Sequence, residues 1–479
     1  MSRIEIHTVA RITGGLLLLV AVVAHAQISS FQHIVVIVQE NRTPDNLFQG
    51  LCARPFGTSA SCSTVPTGSQ YDIQTSDWLD KNVSGGTIQP GTVPLANNYD
   101  LNHGHSGFTA MCDADGSGVC RMDGAGGVAC TGTCPSNPQF RYVDNTSGIL
   151  NPYLELATQY GWGNYMFQTN QGPSFPAHQF LFGGTSAPSA ADDKAGIFAA
   201  ENIGSAKIAG CIADAGTTVR LITPSGENQE IYPCFEHKTM ADLFDKRSIS
   251  WRYYAPSAGS IWTAPNAIQH ICQPDMPTGG NCTGPDWTQD VVLKPAQVLA
   301  DISACNLADV TWVIPSGQNS DHADGNTGGG PAWVASIVNT IGNNPQCSDG
   351  EVYWENTAIF VTWDDWGGWY DHESPTVLAP PEGDYQYGFR VPMVVVSAYT
   401  PNGYVNNLRH DFGSILRFVE HNFSIPEGAL QFADARAKTD LTDFFHLNQA
   451  PRTFHTILAP KDANYFANDE SPLEPPDND

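Results

Sequence analysis

Five short runs of β-branched and aromatic residues punctuate the chain: 33–38 (HIVVIV), 249–254 (ISWRYY), 310–314 (VTWVI), 358–363 (AIFVTW) and 391–396 (VPMVVV). Each is apolar almost without interruption, the pattern of a strand buried on both faces. Between them lie stretches with apolar positions three and four apart, 239–247 (TMADLFDKR) and 411–421 (DFGSILRFVEH). In the second, Phe412, Ile415, Leu416 and Val419 share one face. Strands alternating with helices predict an α/β three-layer sandwich around a mainly parallel central sheet. Two of the strands run abruptly into polar residues: Val38 is followed by Gln39-Glu40-Asn41, and Trp363 by Asp364-Asp365. Open parallel sheets gather ligands at the carboxyl ends of their strands, so these distant residues are expected to meet at one sheet edge.

The pattern differs at both ends of the chain. Arg3 and Arg11 precede an apolar run from Leu16 to Ala24, and Ala24-His25-Ala26 closes it with a small-x-small cleavage signal. This predicts a signal peptide over 1–26 and a secreted or periplasmic protein. The run is too short for a stable membrane anchor, which needs roughly 20 apolar residues. A single catalytic domain is expected over 27–460. The remaining 461–479 is acidic and Pro-bearing, and predicts a disordered tail. The twelve cysteines are an even set. No C-x-x-C pair occurs, and several cysteines lie close together: Cys52 with Cys62, Cys112 with Cys120, Cys130 with Cys134, Cys272 with Cys282. Disulfide-tied loops in an oxidising compartment follow.

Charge narrows the partners. With 22 basic against 49 acidic residues, the formal net charge is -27. Such a surface repels nucleic acid. It repels phosphate as well, so chemistry on a phosphate ester requires a local positive charge, for which a bound metal ion is the simplest source. Glu40, Asn41, Asp364 and Asp365 offer hard oxygen ligands, and three of them are carboxylates that repel one another unless a cation lies among them. All-oxygen ligation suits Ca, Mg or Mn; a histidine ligand admits Zn or Fe. A second segment, 171–178 (QGPSFPAH), places Ser174 where a helix is expected to begin. There the helix's positive end and free N–H groups suit a phosphate, and the same run also suits a plain Ser N-cap. His103 and His105 (DLNHGH) and His322 (NSDHAD) lie in polar loops and are candidates to bind a second metal, donate to phosphate or protonate a leaving group.

Taken together, HIVVIVQENRTPDNLF, NYDLNHGHSGF followed by RMDG, GPSFPAH, TWDDWGGWYDH and YGFRVPMVVVS resemble the bacterial phosphoesterase family of acid phosphatases and phospholipases C, within the alkaline phosphatase superfamily. The resemblance implies an alkaline-phosphatase-like fold and a metal held by Glu40, Asn41, Ser174, Asp364 and Asp365. It makes Ser174 the nucleophile of a phosphoserine mechanism, with His103, His105 and His322 stabilising the phosphate or the leaving oxygen. The Ser-Phe-Pro-x-His run also resembles the nucleophile motif of nucleotide phosphodiesterases, from which Ala177 departs. The C-x-P-x-R motif of sulfatases is absent from the sequence. The substrate implied is a small-molecule or lipid phosphate ester. The short stretch after His421 leans toward a phosphomonoesterase, with a phospholipase C-type phosphodiesterase or an inactive binding protein of the same fold as alternatives.

Overall fold

The computed structural model describes residues 31–204, 208–378 and 386–473. The expected signal peptide lies outside them. Eight strands form the central sheet: β1 (His33–Gln39), β2 (Gly161–Phe167), β3 (Trp251–Tyr254), β4 (Val291–Val292), β5 (Val310–Val313), β6 (Thr357–Trp363), β7 (Met393–Val396) and β8 (Tyr404–Asp411), in the order β4-β3-β5-β1-β6-β7-β2-β8. All pairings are parallel except the two made by β7, which runs against both neighbours. The run predicted over 391–396 begins as a strand only at Met393, because Pro392 has no N–H to give to a ladder. β2 and β8 were not foreseen from the apolar pattern.

Register explains the layers. Val36 lies opposite Trp312 and Phe360, so the three share one face of the sheet. Five helices matter for the layers: α1 (His105–Cys112), α2 (Asn151–Gln159), α3 (Ser174–Gly183), α4 (Gly330–Asn343) and α5 (Phe412–Asn422). On the face of Trp312 and Phe360, Phe182 of α3 packs edge-on to Trp312 at 5.3 Å and Phe418 of α5 packs on Phe360 at 4.9 Å. Trp363, three residues beyond Phe360, points the other way and meets Tyr153 of α2 at 5.1 Å. Helix α4 packs beside α2. This is the three-layer α/β sandwich expected. Helix α5 starts where Asp411 caps it reciprocally with Ser414.

Six disulfides close the loops. Four join the neighbouring pairs, and the others are Cys211–Cys234 and Cys305–Cys347. The stretch expected to be a disordered tail differs in its described part. Asp462 caps a short helix, Ala463–Ala467, and Phe466 is buried against Trp333 of α4 at 5.3 Å. The Asn319 amide, bonded to Asp469 at 3.4 Å, adds a second tie between this acidic stretch and the body. Among the described residues, no helix is long and apolar enough to cross a membrane.

Candidate active site and metal centre

Because Gln39 pairs with Trp363, the residues that follow each strand emerge side by side. Asn41 turns there with a left-handed backbone (φ 63°), a conformation that Asn tolerates better than most residues. Its N–H donates to Asp364 Oδ1 at 3.1 Å. Gly367 (φ 62°) passes so close that a Cβ would lie 2.3 Å from the Asn41 carbonyl oxygen, which accounts for a glycine after the Asp364-Asp365 pair. Glu40, Asn41, Asp364 and Asp365 are all fully buried.

Helix α3 delivers Ser174 to the same point. Ser174 is the first helical residue, Pro173 is the cap, and no side chain caps the helix. The hydroxyl is therefore not spent on capping; it donates to Asp365 Oδ2 at 3.2 Å, while Gly367 N–H donates to Asp365 Oδ1 at 2.7 Å. The N–H of Phe175, next in the helix, donates to Asn202 Oδ1 at 2.9 Å. One turn on, His178 reaches the cluster: its Nε2 lies 3.2 Å from Glu40 Oε1 and 3.7 Å from Asp364 Oδ2. Burial pushes the His178 imidazole down to about 4, against the pull of Asp364, so it is neutral near pH 7. His178 and Asn202 were missed as site residues, although the four-residue spacing from Ser174 to His178 puts both on one helix face.

The loop histidines separate. His103 donates Nδ1–H to the Leu101 carbonyl at 2.7 Å, a group that can only accept, so its Nε2 carries a lone pair. That nitrogen faces Asn41 Nδ2 at 3.1 Å, which sets the Asn41 amide with its nitrogen toward His103 and its oxygen away from it. His322 is bonded through Nδ1 to the Ala323 carbonyl, and its ring lies 5.8 Å from that of His103. Asp100, His103 and His322 form one buried group whose potential ligand atoms lie within 4.8 Å of one another; Glu40, His178 and Asp364 form another. His105 joins neither. It opens α1, its Nδ1 is paired with Glu227 Oε2 at 3.0 Å, and its N–H donates to Glu201.

The cluster fits a divalent ion. Among the described residues, Asn41 Oδ1 and Asp364 Oδ2 are buried acceptors with no hydrogen-bond donor, an arrangement that costs free energy unless a cation supplies the missing positive charge. Behind it, a second charged group ties the two ligand loops together. Arg390, fully buried, forks onto Asp371 with two bonds of 3.0 Å, and His372 bridges Asp45 at 2.7 Å and Asp72 at 3.0 Å. Thr43 Oγ1 adds a bond to the Tyr370 carbonyl at 2.8 Å. This group already contains its own cations and braces the site.

A family model described as the Phosphoesterase family matches residues 31–426. The non-hemolytic phospholipase C of Pseudomonas aeruginosa is similar at 24% identity over 477 residues, 88% of this chain and 58% of that protein. The non-hemolytic phospholipase C of Burkholderia pseudomallei is 26% identical over 39% of this chain and 32% of that protein. A non-specific phospholipase C1 of Arabidopsis thaliana is 26% identical over 28% of this chain. The chain thus spans little more than half the length of the first relative and about a third of the second. A solved protein in the alkaline phosphatase superfamily from Vibrio parahaemolyticus is similar over 58% of this chain and 61% of that one, at 9% identity and a TM-score of 0.31.

Proposed function

Because the chain belongs to the Phosphoesterase family, we propose that it hydrolyses phosphate esters, with Ser174 as the nucleophile and Glu40, Asn41, Asp364 and Asp365 as the seat of a divalent cation. The observation that carries this reading is the Ser174 hydroxyl, buried at a helix start and 3.2 Å from Asp365 within that cluster. A cation bound there, whether Ca, Mg, Mn, Zn or Fe, would make the Ser174 hydroxyl more acidic and offset the charge of the phosphate.

The chain's own residues supply the rest. Asp365 Oδ2 aims Ser174 Oγ and is placed to take its proton as the Oγ–P bond forms and the ester P–O bond breaks. The N-terminus of α3 turns its positive end toward the equatorial oxygens. His322 presents Nε2, which donates to phosphate or to the leaving oxygen only when the ring is protonated, whereas His103, whose Nε2 is engaged by Asn41 Nδ2, positions that amide. Water then attacks phosphorus, the Oγ–P bond breaks, the phosphate product leaves and a proton returns to Ser174 Oγ. The role expected of His105 rests on the resemblance alone, since its ring is engaged by Glu227.

The leaving group defines two readings. A phosphomonoesterase of the acid phosphatase type is our first; the phospholipase C names of the relatives favour a phosphodiesterase acting on a lipid, and a small-molecule or lipid phosphate ester serves either. The six disulfides suit secretion or a periplasmic location. Activity on p-nitrophenyl phosphate against its bis ester and against phosphatidylcholine vesicles separates the readings. Ser174→Ala should abolish turnover, and full metal-dependent activity in that variant would refute the mechanism. No turnover of any ester by the metal-loaded protein would leave the inactive binding protein.

A further inference from the structure

We propose that His178 is itself a ligand of the cation at Glu40, Asn41 and Asp364, and that its imidazole nitrogen makes the site prefer a borderline transition ion such as Zn or Fe(II) over Ca or Mg. The inference rests on reading the strand-end cluster as a cation site.

The tautomer of His178 follows from its neighbours. Tyr253 Oη donates its single proton to the Trp262 carbonyl at 2.7 Å, so toward His178 Nδ1, 3.4 Å away, it can only accept. Both ring nitrogens thus face oxygens that can only accept, and a neutral imidazole has one proton; a cation on the Nε2 side places that proton on Nδ1. Nε2 then points a lone pair at Glu40 Oε1 (3.2 Å) and Asp364 Oδ2 (3.7 Å). A lone pair facing two carboxylates is repulsive unless positive charge lies between them. A second proton on Nε2 would meet that need for His178 alone. A metal ion would meet it and also satisfy the buried Asp364 Oδ2 and Asn41 Oδ1, which have no donor among the described residues.

The rest of the setting matches a coordinating histidine. Ligating imidazoles usually give their other N–H to a fixed oxygen, which sets the tautomer and the ring plane. Here Tyr253 is that oxygen, and Trp262 lies nearly parallel to the imidazole, 22° between planes and 6.2 Å between centroids. The ring is fully buried and sits on a helix rather than a loop. Adding one imidazole to the oxygen donors of Glu40, Asn41, Asp364 and Asp365 shifts preference away from hard ions, for which oxygen-only shells are the rule.

The test uses full-length protein stripped with chelator and titrated by calorimetry with Zn, Mn and Ca, wild type beside His178→Gln. Glutamine keeps an oxygen donor and removes the nitrogen. Zn affinity is expected to fall by about 10–100-fold or more, with Ca affinity within about threefold of wild type. Echo-modulation EPR of the Cu(II)-loaded wild type should show the remote nitrogen of a bound imidazole, lost in His178→Gln; the wild-type spectrum is informative even if the variant does not fold. Equal Zn affinities in two folded proteins, or the same nitrogen signal in both, would overturn the role of His178 and leave the cation site standing. If neither protein bound any ion stoichiometrically, the cation reading itself would fall, and this inference with it.

Discussion

His372 offers a direct measure of how strongly the charged group behind the site is coupled to folding. Burial alone would push its imidazole down, but Asp45 and Asp72, bonded to its two ring nitrogens, overcome this and raise it from the ordinary 6.5 to about 10. Each tenfold change in proton affinity is worth about 1.4 kcal/mol, so the protonated ring contributes at most about 5 kcal/mol. The folded value lies above the unfolded one. The contribution is therefore complete below about pH 6.5 and is lost as pH rises toward 10. Linkage gives about 5 kcal/mol at pH 5.5, about 3 at pH 8 and about 1 at pH 9.5. Urea unfolding of wild type and His372→Gln at these three pH values reads the term together with the response of Asp72 and Asp371, whose carboxyls His372 holds down, while remote titrating groups cancel in the difference. The stability gap between the two proteins should narrow steadily with rising pH. A gap that stays constant from pH 5.5 to 9.5 would show that His372 is not held as an imidazolium.

The same brace predicts that Arg390→Met, which leaves Asp371 and Asp72 facing no guanidinium, costs about 3–5 kcal/mol, measured as a lower urea midpoint with m unchanged. His103→Ala frees the Asn41 amide to turn, so cation affinity by calorimetry should fall about 10–100-fold, while His103→Gln, which can still accept from Asn41 Nδ2, should recover part of it. Among the disulfides, Cys305–Cys347 spans 42 residues and Cys130–Cys134 only 4. Chain entropy then assigns about 4 kcal/mol to the first and about 2 to the second, and paired Cys→Ala variants compared by thermal unfolding should keep that order.

What the sequence made legible follows from where the information is local. Strands β1, β5 and β6 are buried on both faces, so their apolar runs could hardly be anything else, and the polar residues that end β1 and β6 had to emerge together once the strands were neighbours. β2 was hidden because its role requires small residues: Gly161 lies under Phe444, where a Cβ would come within 2.6 Å of the ring, and Asn164 is there to bond the Asp72 N–H at 2.8 Å. β8 carries Asn406, Asn407 and Arg409 through its middle and reads as a loop until it is paired with β2. The segment around Ser174 suits a phosphate-binding helix start and a plain cap alike, and the resemblance alone made it the nucleophile; the bond to Asp365, 191 positions away, is what sets its hydroxyl apart from a cap. The histidines mark the limit most sharply. His103, His105 and His322 look alike as polar-loop residues, and what separates them is the partner of a single ring nitrogen: the Leu101 carbonyl, Glu227 and the Ala323 carbonyl. His178 stands in an otherwise largely apolar helix, and only across the fold does one of its nitrogens meet Tyr253 on β3 and the other Glu40. Residue types and spacing can place side chains on a face, but proton positions depend on contacts made across the fold, and it is the proton positions that divide a ligand from a donor.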